Sequence, residues 1–78
     1  MLNQNQEIEI ISKALHQKYG AVSLITEDTA EAISVHPQTL KQNRTKKIGL
    51  PYSKIGNSVR YSIFDIAKYL VSNKVKVS

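Results

Sequence analysis

With 78 residues, no cysteine and only two histidines, His16 and His36, the chain has room for one domain with a small core and lacks the clustered ligands of a structural zinc, so no disulfide, metal or cofactor is expected. It has no apolar run of about eighteen residues and no basic leader before an apolar stretch, which implies a soluble, cytoplasmic protein without membrane contact. The formal net charge of +5 divides unevenly: residues 1–40 carry two cations against five carboxylates, a net of −3, and residues 41–78 carry nine cations against Asp65 alone, a net of +8.

The first element in chain order is an amphipathic helix from about Asn5 to Tyr19, since Ile8, Ile11, Leu15 and Tyr19 recur at helical spacing. Gly20 supplies its stop, and Ala21 to Leu24 is a short connector. Ile10 and Ala14 widen the apolar face of this helix; packing on its own domain is preferred over packing on a second protomer, because so small a core needs every face it can cover.

Thr26 offers an N-cap oxygen ahead of Glu27 and Asp28, with Ile25 set to staple against Ala30, so a short helix is expected over about Glu27 to Ile33. Ser34 and Val35 then make a tight break before Pro37, whose fixed φ suits a first helical position. The next helix runs from there to about Thr45, with Val35 stapling Leu40. Two short helices about three residues apart have the form of a helix-turn-helix.

The run Gly49-Leu50-Pro51 ends helical propagation, and the residues from Tyr52 to Tyr61 read as a strand, a turn and a strand. A three-residue loop pairing Ile55 with Val59 keeps Ile55, Val59 and Tyr61 on one face and sets Lys54 opposite Arg60 on the other, whereas a two-residue loop splits the apolar set. Ser62 with Asp65 resembles a capping box, after which Ile63, Ile66, Ala67 and Leu70 form the stripe of a last helix ending near Val71. Residues 73–78 read as a frayed tail. The expected organisation is an N-terminal helical extension over 1–20, a domain over 21–72 and the tail. Its fold class is α+β, mostly helical: a winged helix-turn-helix with a two-stranded hairpin wing and an extra N-terminal helix.

The stretch from Leu24 to Leu70, about three-fifths of the chain, resembles the excisionase and AlpA-type branch of MerR-like winged-helix domains. The resemblance is carried by the ordered combination of Thr26-Glu27 with Ala30, Pro37-Gln38-Thr39-Leu40, and Lys54-Ile55-Gly56 through Val59-Arg60-Tyr61 closing into Asp65-Ile66. Three positions depart from it: Ser34 stands where the turn usually has Gly, His36 where a Ser N-cap is usual, and Asn43 where a Trp commonly packs under the wing. The resemblance implies a small protein that binds duplex DNA as a transcriptional regulator of a phage, plasmid or integrated element, or else as an excisionase that bends attachment-site DNA. It also implies no enzymatic activity. The candidate partners besides DNA are a second copy, an integrase or RNA polymerase.

The residues point the same way, because a one-sided basic half is the footprint of a polyanion partner. With Leu40 facing the core, Gln38, Lys41, Gln42 and Thr45 lie on the opposite side of their helix, and amide side chains pair bidentately with adenine. Gln38, Gln42 and His36 are therefore the candidate base readers. Thr39, Lys41, Arg44, Thr45, Lys46 and Lys47 are the candidate phosphate ligands, with Lys54, Asn57, Ser58 and Arg60 the candidate wing contacts. Tyr52, Tyr61 and Tyr69 suit core-edge packing better than base stacking, as they form no regular strip. There are no paired carboxylates in a plausible cleft, no supported nucleophile–base arrangement and no glycine-rich phosphate cradle, so no catalytic residue is expected. A protein-interaction module on the same scaffold, such as an antirepressor or a packaging subunit, is the reading from another class.

Overall fold

The computed structural model describes residues 2–74. Four helices and three short strands follow in the order α1 (Gln4–Tyr19), β1 (Ser23–Leu24), α2 (Thr26–Ile33), α3 (Pro37–Lys46), β2 (Ser53–Ile55), β3 (Ser58–Ser62) and α4 (Ile63–Ser72). This is the expected α+β arrangement, with α2 and α3 as the helix-turn-helix and β2–β3 as the hairpin.

α1 opens with a capping box that the sequence reading did not anticipate: the Asn3 side chain accepts from the Gln6 amide at 2.8 Å, and the Gln6 side chain accepts from the Asn3 amide at 2.9 Å. It closes on Gly20 in the left-handed region, φ 67°. Its inward stripe lies along α4, where Ile8 packs with Ala67 and Val71, while Leu15 enters the main cluster with Leu24, Ala30, Leu40, Leu50, Tyr61 and Ile66. Ile11 touches both clusters. The N-terminal helix thus packs on its own domain, as expected, and contributes to both clusters; burial of its stripe accounts for its place in the fold.

Ala21 to Leu24, expected as a plain connector, contains a strand: Ser23 pairs with Ser62 and Leu24 with Tyr61. The sheet is therefore three-stranded, order β1-β3-β2. Two residues are too few for an alternation pattern to register, and Leu24 enters the sheet because β3 offers it backbone partners beside the core.

The α2 cap also differs from expectation. Ile25 takes the N-cap position without a side-chain bond, and Thr26 is the first helical residue. Glu27 and Asp28 occupy the first turn, where the helix dipole favours them. At the other end Ser34 adopts φ 60° and closes a Schellman pair, with Val35 N–H donating to the Ala30 carbonyl at 2.9 Å and Ser34 N–H to Glu31 at 3.2 Å. The turn that usually takes Gly thus keeps its tightness with Ser, at the cost of a left-handed backbone on a residue that carries a Cβ. Ser62 caps α4 as expected, although its hydroxyl accepts from the Phe64 amide rather than from that of Asp65. The tail begins later than expected, since Asn73 bonds back to Tyr69 and Lys74 Nζ sits 2.9 Å from a Glu7 oxygen; the rest of the expected tail, 75–78, lies outside the described residues.

The hairpin register is the largest correction. Ser53 pairs with Arg60, Lys54 with Val59 and Ile55 with Ser58, around the two residues Gly56-Asn57. Of these two only Gly56 has positive φ, 62°, the signature of a type II′ turn, whose twist matches that of the strands. Turn chemistry outweighs apolar matching here: Ile55 falls on the face of Ser53, Ser58 and Arg60 and is left 64% exposed, while Tyr61 on the other face is 1% exposed. Lys54 and Arg60 consequently lie on opposite faces of the hairpin instead of side by side.

A polar tether joins α1 to α2. The Tyr19 hydroxyl donates to Glu31 Oε1 at 2.6 Å, and Lys18 Nζ lies 3.6 Å from the same oxygen. The hydrogen bond to Glu31, then burial and the carboxylate's charge, push the Tyr19 phenol up to about 12. The phenol and Lys18 hold the Glu31 carboxyl below its ordinary value.

Two outcomes follow from these geometries. Replacing Ser34 by Gly removes the left-handed strain and should raise stability by about 0.5 to 1 kcal/mol, read as a higher denaturation midpoint with unchanged slope; a loss would show that Ser34 is not left-handed in the folded protein. Because the folded-state pKa of Tyr19 is raised, its contribution is present below its unfolded value near 10 and is lost as pH rises through about 12. Near-ultraviolet titration should show a phenol ionising near 12 that disappears in Tyr19→Phe; ionisation of Tyr19 near 10 in the folded protein would show that the tether does not form.

Candidate nucleic-acid interface

α3 is built to show one side to solvent. Leu40 is its one buried residue, whereas Gln38, Thr39, Lys41, Gln42, Thr45 and Lys46 are all exposed. Gln38 and Gln42 stand one turn apart on the outward side, as their i, i+4 spacing requires. His36 caps the helix: its Nδ1 accepts from the Gln38 amide at 3.1 Å, which leaves Nε2 as the outer nitrogen of the ring. The imidazole therefore does the work usually done by Ser, and its outer nitrogen stands at the helix start beside Gln38. Thr45 directs its hydroxyl to the Lys41 carbonyl at 3.2 Å.

The last turn of α3 closes through Lys47, at φ 58°, with Ile48 N–H donating to Asn43 at 2.9 Å and Lys47 N–H to Arg44 at 3.1 Å. Gly49 follows at φ 83°, and a Cβ on it would lie 3.2 Å from the Asn43 amide nitrogen. The Gly49 backbone thus approaches the Asn43 side chain closely, and the chain then turns to bury Leu50, a core residue that the sequence reading did not single out.

Arg44 departs from the other candidate phosphate ligands. It is half-buried, its Nη1 donates to the Thr26 hydroxyl at 3.2 Å and to the Tyr61 hydroxyl, and its guanidinium lies 5.8 Å from the Tyr52 ring centre and 5.9 Å from that of Tyr61. The two rings are themselves 6.2 Å apart and tilted by 52°. Nothing in the spacing signals this; a basic residue late in a helix reads equally well as a favourable partner for the helix C-terminus.

On the wing, Asn57 and Lys54 are exposed and Ser58 and Arg60 are half-buried. Asn57 stands at the tip, with Lys54 on one face and Ser58 and Arg60 on the other. The structure does not bring the two wing cations together as expected, but sets one on each face of the hairpin.

The charge separation visible in the sequence becomes a separation of partners. Three lysines have a carboxylate within reach: Lys13 with Glu9 at 3.4 Å, Lys18 with Glu31 and Lys74 with Glu7. All three involve α1. Among the described residues, Lys41, Arg44, Lys46, Lys47, Lys54, Arg60 and Lys68 have no carboxylate partner. Six of these seven lie on α3, the turn after it and the hairpin. A groove of about 520 Å³ lies elsewhere, between α1 and the start of α4, lined by Ile8, Ser12, Ile63 and Phe64 with Glu9 and His16 at its edge. Among the described residues no group of three His, Asp or Glu is placed to hold a metal, and no helix is long and apolar enough to cross a membrane.

No family model matches the chain, and no curated protein is found to be similar to it.

Proposed function

We propose that this protein binds duplex DNA sequence-specifically, with α3 in the major groove and the hairpin along the flanking backbone. One observation supports this above the others: the cations of α3, the following turn and the wing lack carboxylate partners, and they surround an exposed glutamine pair backed by buried Leu40. Uncompensated cations in one region repel each other, and a polyanion laid over them relieves that repulsion and releases its own counterions. Gln38 and Gln42 then face base edges, with His36 at the helix start, while Thr39, Lys41, Thr45, Lys46 and Lys47 approach phosphates. A hairpin with one cation on each of its faces suits an edge-on approach, so that Asn57 leads and Lys54 and Arg60 reach the backbones on either side.

Regulation of the genes of a phage, plasmid or integrated element is the role that the resemblance over Leu24 to Leu70 favours, and excisionase is its alternative. The two differ in where the protein sits: a footprint over a promoter supports the regulator, and one beside an integrase attachment site, with bending, supports the excisionase.

The basic surface leads to a salt-dependent affinity. With about five phosphates neutralised, log K against log salt should fall with a slope of about −4 to −5 in a fluorescence-anisotropy titration. A flat response would overturn the DNA reading and favour a protein-interaction role. Alanine at Gln38 or Gln42 should cost roughly 1 to 3 kcal/mol on the preferred site and much less on random duplex. Equal losses on both duplexes would show that these side chains do not read bases.

A further inference from the structure

We infer that Arg44 is a positioning residue that sets the reading helix against the wing, and not a phosphate ligand; this rests on the DNA-binding reading above. α3 buries a single side chain, Leu40. One apolar anchor holds a helix against its neighbours but leaves it free to rock about that point. Arg44 stands four residues on, one turn along the same side of the helix. Its guanidinium supplies the second anchor, through bonds that run to two different elements: to Thr26 at the start of α2 and to Tyr61 in β3. The planar face of the group is packed near Tyr52 and Tyr61, which brings the residue just before β2 into the same contact.

The chemistry of both partners fits this role. Thr26 is 6% exposed and Tyr61 1% exposed, so each hydroxyl needs a partner within the protein. Among the described residues no buried side-chain polar atom lacks a hydrogen bond. The guanidinium is half-buried with its Nη1 committed to these two oxygens, whereas Lys41, Lys46 and Lys47 stand exposed and free to meet phosphates. Lysine is a poor substitute at position 44, because a compact ammonium has no planar face to pack against two aromatic rings while one of its nitrogens donates to two hydroxyls.

The consequence lies in specificity. Base reading needs side chains held within a fraction of an ångström of their partners, whereas phosphate contact by lysines tolerates misplacement. Loosening the second anchor should therefore damage recognition of the preferred site while leaving sequence-independent binding intact.

The test compares four chains by fluorescence anisotropy over a range of salt, on a duplex selected by the unaltered protein from a random pool and on a random duplex. The chains are the unaltered protein, Arg44→Lys, Tyr61→Phe and, as a phosphate-ligand control, Lys46→Ala. Arg44→Lys and Tyr61→Phe should each weaken binding to the preferred duplex by roughly tenfold, the size expected for a lost hydrogen bond to a charged group, and leave random-duplex binding and the salt slope unchanged. Lys46→Ala should weaken both and flatten the slope by about 0.9. Tyr61→Phe keeps the buried ring, so the comparison survives even if Arg44→Lys folds poorly. If Tyr61→Phe binds both duplexes like the unaltered protein, and Arg44→Ala, added as a fifth chain, flattens the slope by about 0.9, then Arg44 is a phosphate ligand and the inference fails. If Arg44→Lys and Tyr61→Phe lower only the melting temperature and neither affinity, the clasp merely supports the fold and the inference fails as well. Absence of duplex binding by the unaltered protein overturns the DNA reading and this role together, and is seen before any variant is made.

Discussion

The Tyr61 hydroxyl ties α3 to the sheet, and most of the arrangement around the candidate interface can be traced from it. A phenol 1% exposed carries a polar atom into a small core, where leaving it unpaired would cost on the order of 1 to 3 kcal/mol. Arg44 from α3 meets that requirement, and in doing so links the helix-turn-helix to the central strand of the sheet. β1 pairs with the same residue through Leu24, and Tyr52 packs its ring nearby. Strand, turn and helix are held at one place because one buried oxygen needs a donor.

Around this centre the two kinds of charge are kept apart. Glu7 and Glu9 of α1 and Glu31 of α2 are paired with Lys74, Lys13 and Lys18, while Glu27 and Asp28 stand in the first turn of α2, so the surface near the N-terminal helix carries both signs of charge. The cations of α3 and the hairpin have no such pairing among the described residues. Exposed ion pairs add little stability, so this division matters less for folding than for what the two surfaces attract.

The backbone makes its own accommodation. Both helices of the helix-turn-helix end on a non-glycine residue in the left-handed region, Ser34 and Lys47. Each closes a Schellman pair that satisfies carbonyls otherwise left open, and each redirects the chain sharply: the first into Pro37, the second into Gly49 and buried Leu50. The short turns are stable because their hydrogen bonds offset the steric cost, and they bring α3 close enough to the sheet for Arg44 to reach Tyr61.

Local features were legible in the residues alone. The stripe of Ile8, Ile11, Leu15 and Tyr19, the stops at Gly20 and Ser34, Pro37 at a helix start and the cap at Ser62 each depend on neighbours within about four positions, and that is the range over which a helix writes its pattern. The outward placement of Gln38 and Gln42 followed from Leu40 for the same reason. Features that join distant segments were not legible. The strand at Ser23–Leu24 exists only because β3 passes beside it, and Thr26 accepts a bond from Arg44 instead of capping its own helix. The hairpin register departs from the alternation pattern: alternation in the two strands favours a three-residue loop, while the geometry of Gly56 favours two, and matching side chains cannot override a turn whose twist must suit both strands. Arg44 shows the limit most clearly: its sequence neighbours mark it as one basic residue among several, and only the folded chain brings to it the two hydroxyls and two rings that turn its charge inward.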